Sequence, residues 1–219
     1  MCWLLYEDFL AKGFNYAFMT TWGAYATLVT FGLLIGCSIR QNQESSVGKN
    51  TTLAKWTSLM FQVTLVAQCI IVFAFWFYLY VFMTDMSHMT GSQLGHKLYY
   101  DLFQDVGNYD HSLPCFLLLV EYFINNIEFT WTQWVVSFAV EFIYVCFHAF
   151  YSLVFKRNVY PGIDWNTDFN GCLLKALFPF TLALIFGAIL IYATKLKFYV
   201  NGLDKHVNHI NDLQAKSLA

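Results

Sequence analysis

Charge is what this chain has least of: twelve Lys and Arg and fourteen Asp and Glu among 219 residues, or 12%. Soluble domains carry roughly 25% charged residues. Half that content, with 58% hydrophobic and 20% aromatic residues in long runs, excludes an ordinary globular enzyme and points to an integral membrane protein. A net charge of −2 gives no basic surface for nucleic acid and no strong pull on an acidic partner. Paired cysteine motifs are missing as well. The six cysteines (Cys2, Cys37, Cys69, Cys115, Cys146 and Cys172) are far apart, with no CxxC and no metal-ligand spacing, so they read as small hydrophobes. Residues 1–17 lack the basic start and cleavage site of a signal peptide. Broken by Glu7, Asp8 and Lys12, they read instead as an interfacial helix that buries Trp3, Leu4, Phe9, Leu10 and Phe14.

What is present is a series of five apolar segments, so the expected fold is all-α, a polytopic integral membrane protein. The segments cover residues 18–37, 56–83, 113–130, 131–155 and 172–194. Trp56, Trp76, Tyr78 and Tyr80 mark the ends of the second, as aromatic belts do. The third is short and must tilt or pack against protein. Pro114 suits its first turn, and Asn125-Asn126 turns it into the fourth. Lys175 in the first turn of the fifth can snorkel, and Pro179 predicts a kink. Residues 195–219 form an amphipathic tail with Val200, Leu203, Val207, Ile210 and Leu213 on one stripe. His206, His209 and Asp212 on that tail read as a solvated face, not a metal site. The distribution of Lys and Arg leans towards a C-terminus facing the cytoplasm or matrix.

Five crossings bring several polar groups to one face. Thr20 begins the first segment, and His111 precedes the third, on the same side. At about 1.5 Å per residue, Glu121 lies roughly 12 Å below the start of the third segment and His148 about 10 Å below the end of the fourth. Equal depth on adjacent helices would let Glu121 and His148 pair, which relieves the cost of burying either alone. Glu141 lies two turns deeper on the face of His148. A hydroxyl beside an imidazole is the minimal equipment for acyl transfer. From spacing alone, a second account stays open in which Thr20 satisfies backbone carbonyls and His111 is an interface residue.

Phe18-Met19-Thr20-Thr21-Trp22-Gly23 resembles an opening found in the rolling stone branch of the androgen-induced protein family of membrane hydrolases. Phe75-Trp76-Phe77-Tyr78-Leu79-Tyr80, His111 with Glu121 ten residues on, His148, and Val159-Tyr160-Pro161 are similar to later parts of the family pattern, in the same order. The sequence departs from it in lacking the family's first transmembrane helix and in having Pro114 only three residues after His111. The resemblance implies a threonine nucleophile, Thr20, with His111 as general base and acid, acting on fatty acid esters of hydroxy fatty acids in an endomembrane or plasma membrane without a cofactor. Thr21 is the alternative hydroxyl, and Glu121 and His148 are expected as supporting or structural partners. The rival expectation is a non-catalytic subunit or lipid-binding scaffold of a larger complex, with the mitochondrial inner membrane as an alternative site. Membrane lipids, or subunits docked through the two terminal amphipathic segments, are the expected partners.

Overall fold

The computed structural model describes residues 18–43, 51–79, 93, 106–160 and 162–200. The N-terminal segment expected to be interfacial, most of the acidic connection 85–112 and residues 201–219 of the expected amphipathic tail, with its histidines, lie outside these residues. Five helices account for the five apolar segments: α1 (Met19–Gln43), α2 (Thr51–Ala74), α3 (Val106–Ile124), α4 (Trp131–Phe155) and α5 (Phe169–Val200). A π-helical turn, Phe75–Leu79, continues α2. Among the described residues four helices are long and apolar enough to cross a membrane, and the apolar part of α3, His111–Ile124, is shorter. The protein is an all-α, multi-pass integral membrane protein.

The clearest membrane signature is α4, whose polar side is turned inward. Its buried residues are Ser137, Glu141, Tyr144, His148, Tyr151 and Ser152. Val135, Phe142, Ile143 and Phe150 on the same helix are exposed. In water this distribution would be costly twice over; in lipid it follows from polar groups seeking partners inside the bundle.

Helices joined in a hydrocarbon solvent gain little from burying apolar surface, so association relies on close packing and hydrogen bonds. Between α1 and α2, Thr30 and Thr64 share a 2.9 Å hydroxyl contact, and the Gln68 amide donates to Thr27 at 3.0 Å. The Gln62 amide donates to the Thr130 carbonyl and accepts from the Thr130 N–H, each at 3.0 Å, which fixes α2 to the start of α4. Tyr122 donates to the Leu190 carbonyl on α5 at 3.1 Å and lies 3.0 Å from the Thr194 hydroxyl. The Trp134 indole donates to the Ala183 carbonyl at 3.0 Å and lies over Gly187.

Both ends of α3 differ from expectation. Helix α3 starts at Val106, so Pro114 is inside it and not in its first turn. It also ends at Ile124, and residues 126–130 are non-helical. Lys197 explains the early stop: its ammonium donates to the carbonyls of Tyr122 and Asn125, replacing the next helical bonds. The Asn125 side chain accepts from the Ile127 N–H at 3.0 Å, and Thr130 caps α4 by accepting from the Gln133 N–H.

A Cβ on Gly187 would run into the Trp134 ring, whereas one on Gly32 would meet nothing within 4 Å. Gly187→Ala is therefore expected to cost about 1–3 kcal/mol by displacing the indole. Gly32→Ala should be neutral or slightly stabilising. Thermal unfolding in detergent checks the pair, and equal effects at both positions would contradict this packing.

Candidate functional site

The helices alternate in direction, so the start of α1, the end of the α2–π segment, the early part of α3, the late part of α4 and the start of α5 gather at one end. They enclose a cavity of about 310 Å³ whose walls include Thr20, Tyr78, His111, His148 and Lys175, one from each. That volume lies at the small end of the range for small-molecule sites. Its lining is mostly apolar, with Ile70, Ile71, Ala74, Phe75 and Phe178 among the wall residues.

Thr20 and His111 meet on this wall. The threonine hydroxyl lies 3.3 Å from His111 Nδ1, and both side chains are half-buried. The contact differs from the back-bonds that four other helical threonines make. Thr27, Thr57, Thr181 and Thr194 each return their hydroxyl to the carbonyl four residues earlier. Thr20 faces an imidazole ninety-one residues away. Thr21 does not line the cavity; its N–H donates to the Phe18 carbonyl at 3.1 Å.

His111 is held in place by the π-helical turn. Phe75 stacks on the imidazole with ring centres 3.7 Å apart and planes 11° off parallel. The next residue, Trp76, donates its indole N–H to the Ser112 hydroxyl at 2.9 Å. Two adjacent aromatic residues thus grip two adjacent residues of α3. Single π turns inside α-helices occur frequently at functional sites.

The loop after α4 closes the cavity from the other side. Lys156 takes a left-handed conformation (φ 51°) and ends α4. The chain then folds back so that Val159 and Trp165 are each only 4% exposed. The Tyr160 hydroxyl accepts from the Met19 N–H at 2.9 Å, beside Thr20, and lies 3.0 Å from the Tyr144 hydroxyl. Burial pushes the Tyr160 phenol above its ordinary range. The Trp165 indole donates to His148 Nδ1 at 2.9 Å. The Asp168 carboxylate accepts from the Gly171 N–H and starts α5, while Lys175 on the cavity rim donates to the Gly162 carbonyl at 2.6 Å.

Glu121 is not part of this site, and its expected pairing with His148 does not occur. It lies three residues before the end of α3, about 5 Å along the axis, beside the Lys197 ammonium. His148 lies seventeen residues into α4, about 26 Å from that end. The equal-depth reading fails because α3 stops early and a non-helical connection separates it from a longer α4. Glu141 is 2% exposed and borders a smaller, separate cavity with Trp22, Gly23 and Tyr144. Tyr78, Tyr144, Tyr160, Trp165 and Lys175 are polar cavity residues that sequence reasoning did not assign to a site. Tyr144 could have been suspected from its place one turn before His148. Among the described residues no cluster of His, Cys, Asp or Glu could hold a metal ion.

Comparison with family models, curated proteins and solved structures found no match for the chain.

Tyr160→Phe removes the acceptor for the Met19 N–H and should lower stability by about 1–2 kcal/mol at neutral pH. A phenol raised in the folded state contributes stability fully present below its unfolded pKa of about 10 and lost as pH rises towards the folded value. Thermal melts of the wild type should therefore fall above that pH, and those of Tyr160→Phe should fall less. Identical pH profiles would contradict the assignment.

Proposed function

We propose that this protein is a membrane-embedded lipid-ester hydrolase of the androgen-induced type, with Thr20 as nucleophile and His111 as general base and acid. The observation that carries this reading is the 3.3 Å contact between the Thr20 hydroxyl and His111 Nδ1 on the wall of an apolar cavity. A bond at the long end of the range is normal for an unliganded hydroxyl–imidazole pair, and such pairs tighten around substrate. Thr20 also lies in the first turn of α1, where the helix dipole favours negative charge developing on a carbonyl oxygen.

The chemistry balances without a cofactor. His111, protonated on Nε2 and unprotonated on Nδ1, takes the Thr20 proton as the hydroxyl oxygen attacks the ester carbonyl. The tetrahedral intermediate collapses, the C–O bond to the alcohol breaks, and the imidazolium returns its proton to the departing alkoxide. Water then attacks the acyl-threonine with the same imidazole as base, releasing the carboxylic acid and restoring the Thr20 hydroxyl. The apolar walls suit an acyl chain, and the cavity's place at one end of the bundle suits an ester near the lipid headgroups. An endomembrane or the plasma membrane is the proposed setting.

A hydroxyl-reactive fluorophosphonate probe tests the reading. Wild type and Thr21→Ala are expected to label and to cleave a medium-chain ester; Thr20→Ala should do neither. His111→Ala should lose about 10²–10⁴-fold in rate. Labelling that persists in Thr20→Ala, or folded wild-type protein that neither labels nor cleaves, would contradict it.

A further inference from the structure

His148 is the second polar feature of the cavity, and the hydrolytic scheme does not use it. Its side chain is 5% exposed. An indole N–H is a donor only, so His148 Nδ1, 2.9 Å from Trp165 Nε1, must be the acceptor. A protonated Nδ1 could not fill that role, which excludes both the imidazolium and the other neutral tautomer. The proton therefore resides on Nε2. That nitrogen is buried and has no hydrogen-bond partner among the described residues. One ring face is covered by Tyr160, with centres 5.4 Å apart and planes 27° off parallel. The same three residues, His148, Tyr160 and Trp165, line the cavity.

A buried N–H without an acceptor is destabilising, and native structures keep few of them. A donor locked in one tautomer, on a residue that lines a mostly apolar cavity, fits a ligand oxygen that enters with a small shift of the ring. We propose that His148 is a binding residue whose Nε2–H makes the cavity selective for lipids that carry a carbonyl oxygen over plain hydrocarbon chains. Trp165 is its positioning residue, because the indole fixes which nitrogen holds the proton. The proposal rests on the cavity being the lipid site described above. It does not require attack by Thr20.

The experiment separates the two ideas by using Thr20→Ala protein in detergent, which cannot form an acyl-threonine. The probe is 2-undecanone labelled with ¹³C at its carbonyl, and undecane is the control lacking an acceptor. With His148 intact, the infrared carbonyl band should move to lower frequency on binding, and the ketone should raise the melting temperature more than the alkane does. Adding His148→Phe should abolish the band shift and weaken ketone binding about tenfold, the size of one hydrogen bond. Adding His148→Gln, which keeps a donor at a similar reach, should retain much of both effects. Separately, ¹⁵N spectra of histidine-labelled protein should show the Nε2–H tautomer for His148, and Trp165→Phe should give a mixture. The proposal is overturned if His148→Phe, shown to be folded by circular dichroism, leaves the carbonyl band and the ketone's advantage unchanged. It is equally overturned if His148 carries its proton on Nδ1. Loss of hydrolysis in otherwise wild-type protein with these results intact would count against the hydrolase reading alone.

Discussion

Polar groups within this bundle are drawn to partners inside it, because lipid offers none. That constraint explains why α4 turns its serines, glutamate, tyrosines and histidine inward and its phenylalanines outward. It also explains why the helices are joined by side-chain hydrogen bonds that a soluble bundle would leave to water. The Thr30–Thr64 contact, the two-way bond from Gln62 to the Thr130 backbone, and the Tyr122–Thr194 contact each connect a different pair of elements. In membranes such bonds contribute about 0.6 kcal/mol on average, so they act by number and by excluding other arrangements.

The same constraint makes the departures informative. At the cavity end, the Thr20 hydroxyl faces an imidazole instead of the backbone, and one edge of His148 is without a partner among the described residues. Aromatic residues support both histidines: Phe75 stacks on His111 and Tyr160 covers His148. The protein therefore keeps its polar chemistry in a largely apolar setting, where hydrogen bonds are stronger than in water. The opposite end is arranged for closure instead. There Lys197 ties α5 to the last carbonyls of α3, and Gln62 and Gln133 secure the start of α4 to α2.

Much of this arrangement was legible in the sequence. Low charge and five long apolar runs lead to a multi-pass helical protein, and alternating crossings place Thr20 and His111 on one side. What linear reasoning could not supply was axial depth. Treating residues 113–130 as one helix put Glu121 level with His148, whereas Lys197, distant in sequence, ends α3 at Ile124. Tyr160 and Trp165 escaped notice for a different reason. In a chain that is one-fifth aromatic, a tyrosine or tryptophan in a loop carries little information until the loop is seen folded onto the cavity. The π-helical turn was equally invisible, since a run of aromatic residues reads as a membrane interface.

The central claim is spatial: Thr20 and His111 face each other across the mouth of the bundle, and Glu121 and His148 do not. Cysteine-pair cross-linking in a background free of other cysteines measures this directly, with a bis-methanethiosulfonate reagent of one methylene. Thr20→Cys combined with His111→Cys should be bridged rapidly in intact membranes, whereas Glu121→Cys combined with His148→Cys should not. Failure of the first pair to react, or efficient bridging of the second, would contradict the account.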